Sequence, residues 1–257
     1  SGADDVSRWD GDGRSAARLI AGSPVAGGAM RAGVEIRLKN GWHTYWRHPG
    51  DAGVPPRFDF KASQNVKQVH VLWPAPRRIT EAGSVALGYA NDVIFPLQVE
   101  PQDAGKPVVL RLKLDYAICE KLCVPAEAKA ELVLAGGPAS RDGVLAAAEM
   151  RVPKKVALGE GDAFAIRAVR RATGSVRPRL VVDVAAPPGS LVDLFAEGPT
   201  PQWALPVPAR VEGAPVGITR FAFDLEGLPP GANASGALIA LTATAQDRAV
   251  EVAIRLD

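Results

Sequence analysis

The chain has 257 residues, 47% of them hydrophobic and 23% charged, with 30 basic and 28 acidic residues for a net charge of +2. That length suggests one or two domains, and the balance excludes wholesale disorder. No basic stripe supports nucleic-acid binding, and no apolar run approaches the ~18 residues that span a bilayer.

Taken in chain order, the opening SGADDVSRWDGDG reads as a trimmed mature start or a cloning scar, with no signal peptide. Val34, Ile36 and Leu38 then alternate with Glu35, Arg37 and Lys39, and Asn40-Gly41 marks a turn. Leu110, Leu112, Leu114, Tyr116 and Ile118 form a second alternating set. Leu180, Val182 and Val184 form a third, and Phe221, Phe223 and Leu225 a fourth. Val250, Val252, Ile254 and Leu256 close the chain. Each pattern predicts a strand with one buried and one wet face, the requirement of an antiparallel sandwich. With 26 glycines and 22 prolines spread along the chain, many short strands joined by turns are expected.

One segment departs from this period. Residues 140–152, SRDGVLAAAEMRV, are alanine-rich, start at a capping serine and stop at Pro153, which predicts a short helix. The expected organisation is all-β: a sandwich over residues 1–138, a helical linker over 139–155, and a second sandwich over 156–257.

Both cysteines fall in DYAICEKLCVP, as C-x3-C. In an extended strand Cys119 and Cys123 would stand about 13 Å apart, whereas a disulfide needs Cα atoms within about 4.4–6.8 Å. The pair bonds only if Glu120-Lys121-Leu122 curls. Strand parity puts Cys119 on the face of Arg111, Lys113 and Asp115, so the pair is expected at a reachable surface. A ring this small stabilises a fold by only about 2 kcal/mol, against more than 4 for a long-range bridge. Small, accessible disulfides are also the readily reduced ones. A redox dithiol fits, beside three alternatives: a structural disulfide, two ordinary thiols, or half of a metal site. Lys121, between the cysteines, could favour a thiolate, with Glu120 opposing it.

The ordered set GWHTYW, SVALGYANDVIFPLQV and LRLKLDYAICEKLCVPAEAKAEL resembles the N-terminal periplasmic domain of the DsbD family of thiol:disulfide interchange proteins, and is most similar to the ScsB branch. The likeness covers about residues 15–135 and is weaker beyond. It implies an immunoglobulin-like fold in both halves, a Cys119/Cys123 dithiol that works without a cofactor, and a periplasmic location with the membrane anchor in the parent chain. By the same resemblance, electrons arrive from a thioredoxin-like domain of the parent polypeptide. They leave to a periplasmic thioredoxin-fold protein, ScsC-like in this branch. Cys123 would form the mixed disulfide and Cys119 would resolve it. DsbD proper spaces its cysteines by five residues, so the spacing of three follows the ScsB branch. The family covers its cysteines with a cap loop, which by order falls in WPAPRRITEAGSVALG. The cap residue of DsbD is aromatic, and none lies between Pro74 and Gly88, so either Leu87 or a neighbour such as Gly88 acts as the cap or the site stays open. His43 and Tyr45 align with positions flanking the family's site, while Trp42 and Trp46 are expected in the core.

The other constellations are weaker. His43, His48 and His70 with the two cysteines could hold copper or zinc, but they lack helical spacing and the chain has two methionines. A non-catalytic sandwich with metal-ligating or structural cysteines is therefore the second hypothesis. No G-x-S-x-G, H-E-x-x-H or phosphate-binding glycine loop supports hydrolase chemistry. Asp51 and Asp59 are explained by turns. Residues 156–257 hold no cysteine or histidine, and their Trp203 is expected in a core, which leaves a spacer or docking role.

Overall fold

The structure is a computed structural model that describes residues 4–172 and 177–257, so the first three residues of the opening stretch lie outside it. Contacts divide the chain into two units, Ser1–Val152 and Pro153–Asp257.

The first unit contains β1 (Asp10–Gly11), β2 (Ser15–Pro24), β3 (Met30–Leu38), β4 (Thr44–Gly50), β5 (Arg57–Asp59), β6 (Val66–Val71), β7 (Arg77–Glu81), β8 (Ser84–Tyr89), β9 (Val93–Pro101), β10 (Val108–Cys119), β11 (Cys123–Leu134) and the helix α1 (Asp142–Glu149). Its strands form sheets in the orders β1-β2-β3-β9-β6, β11-β10-β5 and β4-β8-β7. The alternation read along β10 is visible as burial: Leu110 and Leu114 are fully enclosed, and Leu112, Tyr116 and Ile118 are nearly so. Enclosing each such aliphatic side chain stabilises the fold by roughly 1.5–3 kcal/mol. Tyr116 on β10 also meets Ser15 on β2, with 2.9 Å between their hydroxyls. That bond ties two sheets of this immunoglobulin-like sandwich together.

The helix is shorter than the sequence suggests, and Ser140 does not cap it. Arg141 occupies the N-cap without a side-chain hydrogen bond, while the Ser140 hydroxyl donates to Asp5 instead. The helix packs within the first unit, with Leu145 fully buried and Glu149 paired to Arg31 on β3 at 2.6 Å. The segment expected as a linker thus carries a packed element of that unit.

The second unit contains β12 (Lys154–Lys155), β13 (Ala165–Arg171), β14 (Arg179–Ala185), β15 (Val192–Glu197), β16 (Ala209–Val211), β17 (Ile218–Asp224), β18 (Leu238–Ala245) and β19 (Arg248–Arg255). Two four-stranded sheets, β12-β19-β18-β15 and β13-β14-β17-β16, make a second sandwich. Leu180, Val182, Val184, Phe221, Phe223, Leu225, Val252 and Leu256 line its core together with Trp203. Val250 and Ile254 pack against that core only partly buried. No helix among the described residues is long and apolar enough to cross a membrane.

Candidate functional site

β10 and β11 form one long hairpin whose last ladder pair is Cys119 with Cys123. Glu120, Lys121 and Leu122 make the turn, closed by the Glu120 amide donating to the Leu122 carbonyl at 3.1 Å. The amide and carbonyl of Cys119 are both taken by His43, at 2.9 Å each. They therefore point away from β11, which makes Cys119 and Cys123 a non-hydrogen-bonded antiparallel pair. Such pairs bring Cα atoms closest, to about 4.5 Å; here the separation is 4.1 Å, and the two sulfurs are bonded. The curl required between the cysteines is thus a hairpin end.

The expectation that both sulfurs face solvent holds for only one of them. Cys123 is exposed, but Cys119 is fully buried despite its parity with Arg111 and Lys113. The wet face of β10 stops being wet at Ala117. There the Thr44 hydroxyl donates to the Ala117 carbonyl at 2.8 Å, and Tyr45, Ala86, Ala117 and Cys119 form a small core with Ile79 at its edge. The β4-β8-β7 sheet is what covers it. Strand parity describes one sheet and cannot register another layer laid over its end.

The segment expected as a cap loop is mostly a second hairpin, β7-β8, with Glu81 paired to Ser84 across a two-residue turn. Both turn residues, Ala82 and Gly83, have positive φ, 47° and 83°, the pattern of a type I′ turn. Gly88 pairs with Tyr45 on β4; a Cβ there would stand 1.9 Å from the Thr44 carbonyl oxygen, so glycine is what lets β8 lie this close. Leu87 is wholly buried and pairs with Arg78. The cap residue that meets the exposed sulfur is Glu81, with Oε1 2.9 Å from Cys123 Sγ.

Glu81 is the functional residue that the sequence reading missed, sitting 42 residues from Cys123. Its carboxylate accepts from the Tyr45 hydroxyl, 2.9 Å from either oxygen, and lies 3.5 Å from His43 Nε2. The Tyr45 hydroxyl also stands 2.7 Å from Cys119 Sγ and 3.4 Å from Cys123 Sγ. Burial, and then the hydrogen bond to Glu81 and its negative charge, push the Tyr45 phenol well above its ordinary pKa. It stays protonated and available to donate. His43 is buried and meets the Tyr45 ring edge-on, with centroids 5.5 Å apart. Its Nε2 is enclosed and makes no hydrogen bond.

Of the other expected residues, Lys121 is exposed in the hairpin turn. The charge lying against the sulfurs is instead the Glu81 carboxylate, of opposite sign. Leu122 beside it is 76% exposed. His70 sits on β6, 3.6 Å from Glu100, and does not join His48 in a metal cluster. Among the described residues the donor group that forms is His43, Glu81 and Cys119, with ligand atoms within 4.8 Å of one another.

A buried sulfur is thus bonded to an exposed one at the end of a hairpin on an immunoglobulin-like sandwich. Residues 15–135 match the family described as thiol:disulfide interchange protein DsbD, N-terminal, which makes that stretch a thiol:disulfide interchange domain. The whole chain is similar in fold to the N-terminal periplasmic domain of ScsB from Proteus mirabilis. That match has a TM-score of 0.74 and 20% sequence identity, and covers 99% of each chain. No curated protein matches the chain.

Proposed function

We propose that this chain is the periplasmic electron-relay portion of a membrane thiol:disulfide reductase, passing two electrons to a thioredoxin-fold partner through Cys119 and Cys123. The observation that carries the reading is the asymmetry of the pair: one sulfur is open to a partner and the other is sealed beneath Tyr45.

In the reduced domain the Cys123 thiolate attacks one sulfur of the partner's disulfide. That bond breaks and the partner's other sulfur leaves as a thiolate. The Cys119 thiolate then attacks Cys123 Sγ within the mixed disulfide and expels the partner's remaining sulfur. The partner gains two electrons and two protons, and this domain is left with its disulfide. Reloading runs the other way. A thiolate of a dithiol on a thioredoxin-like domain of the parent protein attacks the exposed Cys123 Sγ, and Cys119 departs as a thiolate. The donor's second thiolate then expels Cys123 and closes the donor's own disulfide. The Tyr45 hydroxyl is within donor reach of the leaving Cys119 sulfur, and the Glu81 carboxylate is placed to exchange a proton with Cys123. The exposed Leu122 offers the partner an apolar contact next to Cys123.

Trapping tests the assignment. Reduced Cys119→Ser protein, mixed with an oxidised periplasmic thioredoxin-fold protein, should accumulate a mixed disulfide through Cys123, and Cys123→Ser protein should form none. An adduct formed only through Cys119 reverses the roles. A disulfide that resists reduction across a glutathione and dithiothreitol series, with a potential below about −300 mV, makes the bond structural and ends the relay reading.

A further inference from the structure

We propose that the reduced site binds one zinc ion, held by Cys119 Sγ, Cys123 Sγ, His43 Nε2 and a carboxylate oxygen of Glu81. The proposal goes beyond the relay and needs only that the disulfide can be opened.

Three separate segments bring these donors together. The cysteines end the β10-β11 hairpin, His43 is bridged to Cys119 by two backbone hydrogen bonds, and Glu81 ends β7 at the tip of the covering hairpin. The nitrogen, oxygen and Cys119 sulfur already lie within 4.8 Å of one another. Around a tetrahedral zinc, with bonds of about 2.0–2.3 Å, neighbouring ligand atoms stand roughly 3.3–3.8 Å apart. The cluster must therefore close by about an ångström. Once the S–S bond is broken, rotation of the Cys123 and Glu81 side chains can supply that movement.

A second observation points at a ligand independently. The His43 side chain is 8% exposed, and its Nε2 is buried with no hydrogen-bond partner. A buried polar atom without a hydrogen bond is unfavourable by about 1–3 kcal/mol. Nε2 faces Glu81 at 3.5 Å, on the side where the metal would sit. Charge argues the same way. Two thiolates beside a carboxylate would place three negative charges in one partly buried cluster, which a dication relieves.

The donor set selects the metal class. Two thiolates, an imidazole and a carboxylate oxygen suit a tetrahedral zinc ion, whereas monovalent copper favours sulfur without a hard oxygen. Tyr45, 2.7 Å from Cys119 Sγ, would then donate to a metal-bound thiolate, a supporting bond of the kind that orients ligands. Binding exchanges the two thiol protons for the ion and leaves neither sulfur free. A zinc-loaded domain therefore cannot pass electrons until the metal is removed, and an oxidised domain cannot take the metal.

The test is a zinc titration of the full chain, anaerobic and fully reduced, against a chromophoric chelator of known affinity. We expect one zinc per reduced chain, none on the disulfide form, and release of about two protons per zinc at a pH where the thiols are protonated. His43→Ala and Glu81→Gln should each weaken binding by about tenfold or more. Unchanged affinity in Glu81→Gln, which keeps the shape of its side chain and so tests the site even if His43→Ala does not fold, would mean ordinary dithiol chelation and overturn the four-ligand site. So would an unchanged affinity in a folded His43→Ala protein, or no binding to the reduced wild type. The result is separate from partner trapping, because zinc can bind a dithiol that reduces no partner.

Discussion

The hydroxyl of Tyr45 lies 2.7 Å from Cys119 Sγ and 2.9 Å from each carboxylate oxygen of Glu81, so two acceptors compete for one phenolic proton. A disulfide sulfur is a weak acceptor, and in the oxidised form the carboxylate takes the bond. When Cys119 leaves as a thiolate the competition changes, because both acceptors are then charged. A hydrogen bond to a charged group contributes about 1.5–3 kcal/mol. Tyr45→Phe should therefore slow opening of the disulfide by excess dithiothreitol about tenfold, the equivalent of ~1.4 kcal/mol in the barrier. Stopped-flow reduction of the two proteins gives the comparison, and equal rates would remove Tyr45 from ring opening. The raised phenol pKa has its own sign. The neutral form is the one the fold favours, so this contribution to stability is complete below the ordinary phenol pKa and fades as pH rises beyond it.

Glu81 acts on the other sulfur. Its carboxylate is 2.9 Å from Cys123 Sγ, and a like charge at that distance disfavours a thiolate. In the reduced domain Glu81→Gln should therefore shift the pH profile of Cys123 alkylation to lower pH. A profile that stays in place, followed by iodoacetamide labelling and mass spectrometry, would mean that the hairpin carries Glu81 away from Cys123 once the disulfide opens.

The hairpin turn that delivers Glu81 offers a test through stability. Ala82 holds φ of 47° at the first turn position and Gly83 follows at 83°. A non-glycine residue in this region is disfavoured by about 1–2 kcal/mol, and asparagine is among the few that visit it readily. Ala82→Asn creates the Asn-Gly pair that type I′ turns prefer. The variant should gain about 0.5–1 kcal/mol in urea unfolding. A loss of stability would show that the turn is held by contacts to Ala82 rather than by its backbone.

The difference between what was and was not legible in the sequence follows from range. Alternation is a local signal, and it located β3, β10, β14, β17 and β19 because each has one face on a core. The C-x3-C spacing required a curl, and the hairpin supplies it. The burial of Cys119 was not legible, because the residues over it, Tyr45 and Ala86, belong to strands remote in sequence. Glu81 was hidden for the same reason. In ITEAGS it reads as a polar residue beside a turn, and only the pairing of β7 with β8 carries it to the sulfurs. Gly83, set between the β-branched Ile79-Thr80 and Val85, was the available sign that the cap is a hairpin. Ser140 shows the opposite limit: a good local capping signal was outweighed by Asp5, which accepts from both its amide and its hydroxyl.

Acid should loosen the helix of the first unit before its sheets. Asp142, at the start of α1, accepts from the Ser23 hydroxyl and, at 3.0 Å, from the Ser23 amide. These bonds, aided by the charge of Arg31, hold its carboxyl below the ordinary aspartate pKa. A depressed folded pKa gives stability that is present above the unfolded value, near 3.9, and lost as pH falls through the lower folded value. Asp5, held down chiefly by its hydrogen bonds from Ser140, loses its contribution in the same window. Replacing Asp142 by Asn removes the charge and should lower stability by about 1–2 kcal/mol at neutral pH, with a smaller loss between about pH 5 and pH 2 than the wild type shows. Urea unfolding followed by tryptophan fluorescence can measure this, since Trp9, Trp42, Trp46 and Trp73 all lie in the first unit. Parallel pH curves for the two proteins would mean that Asp142 does not titrate with folding, and that the bond to Ser23 contributes nothing specific to the charged form.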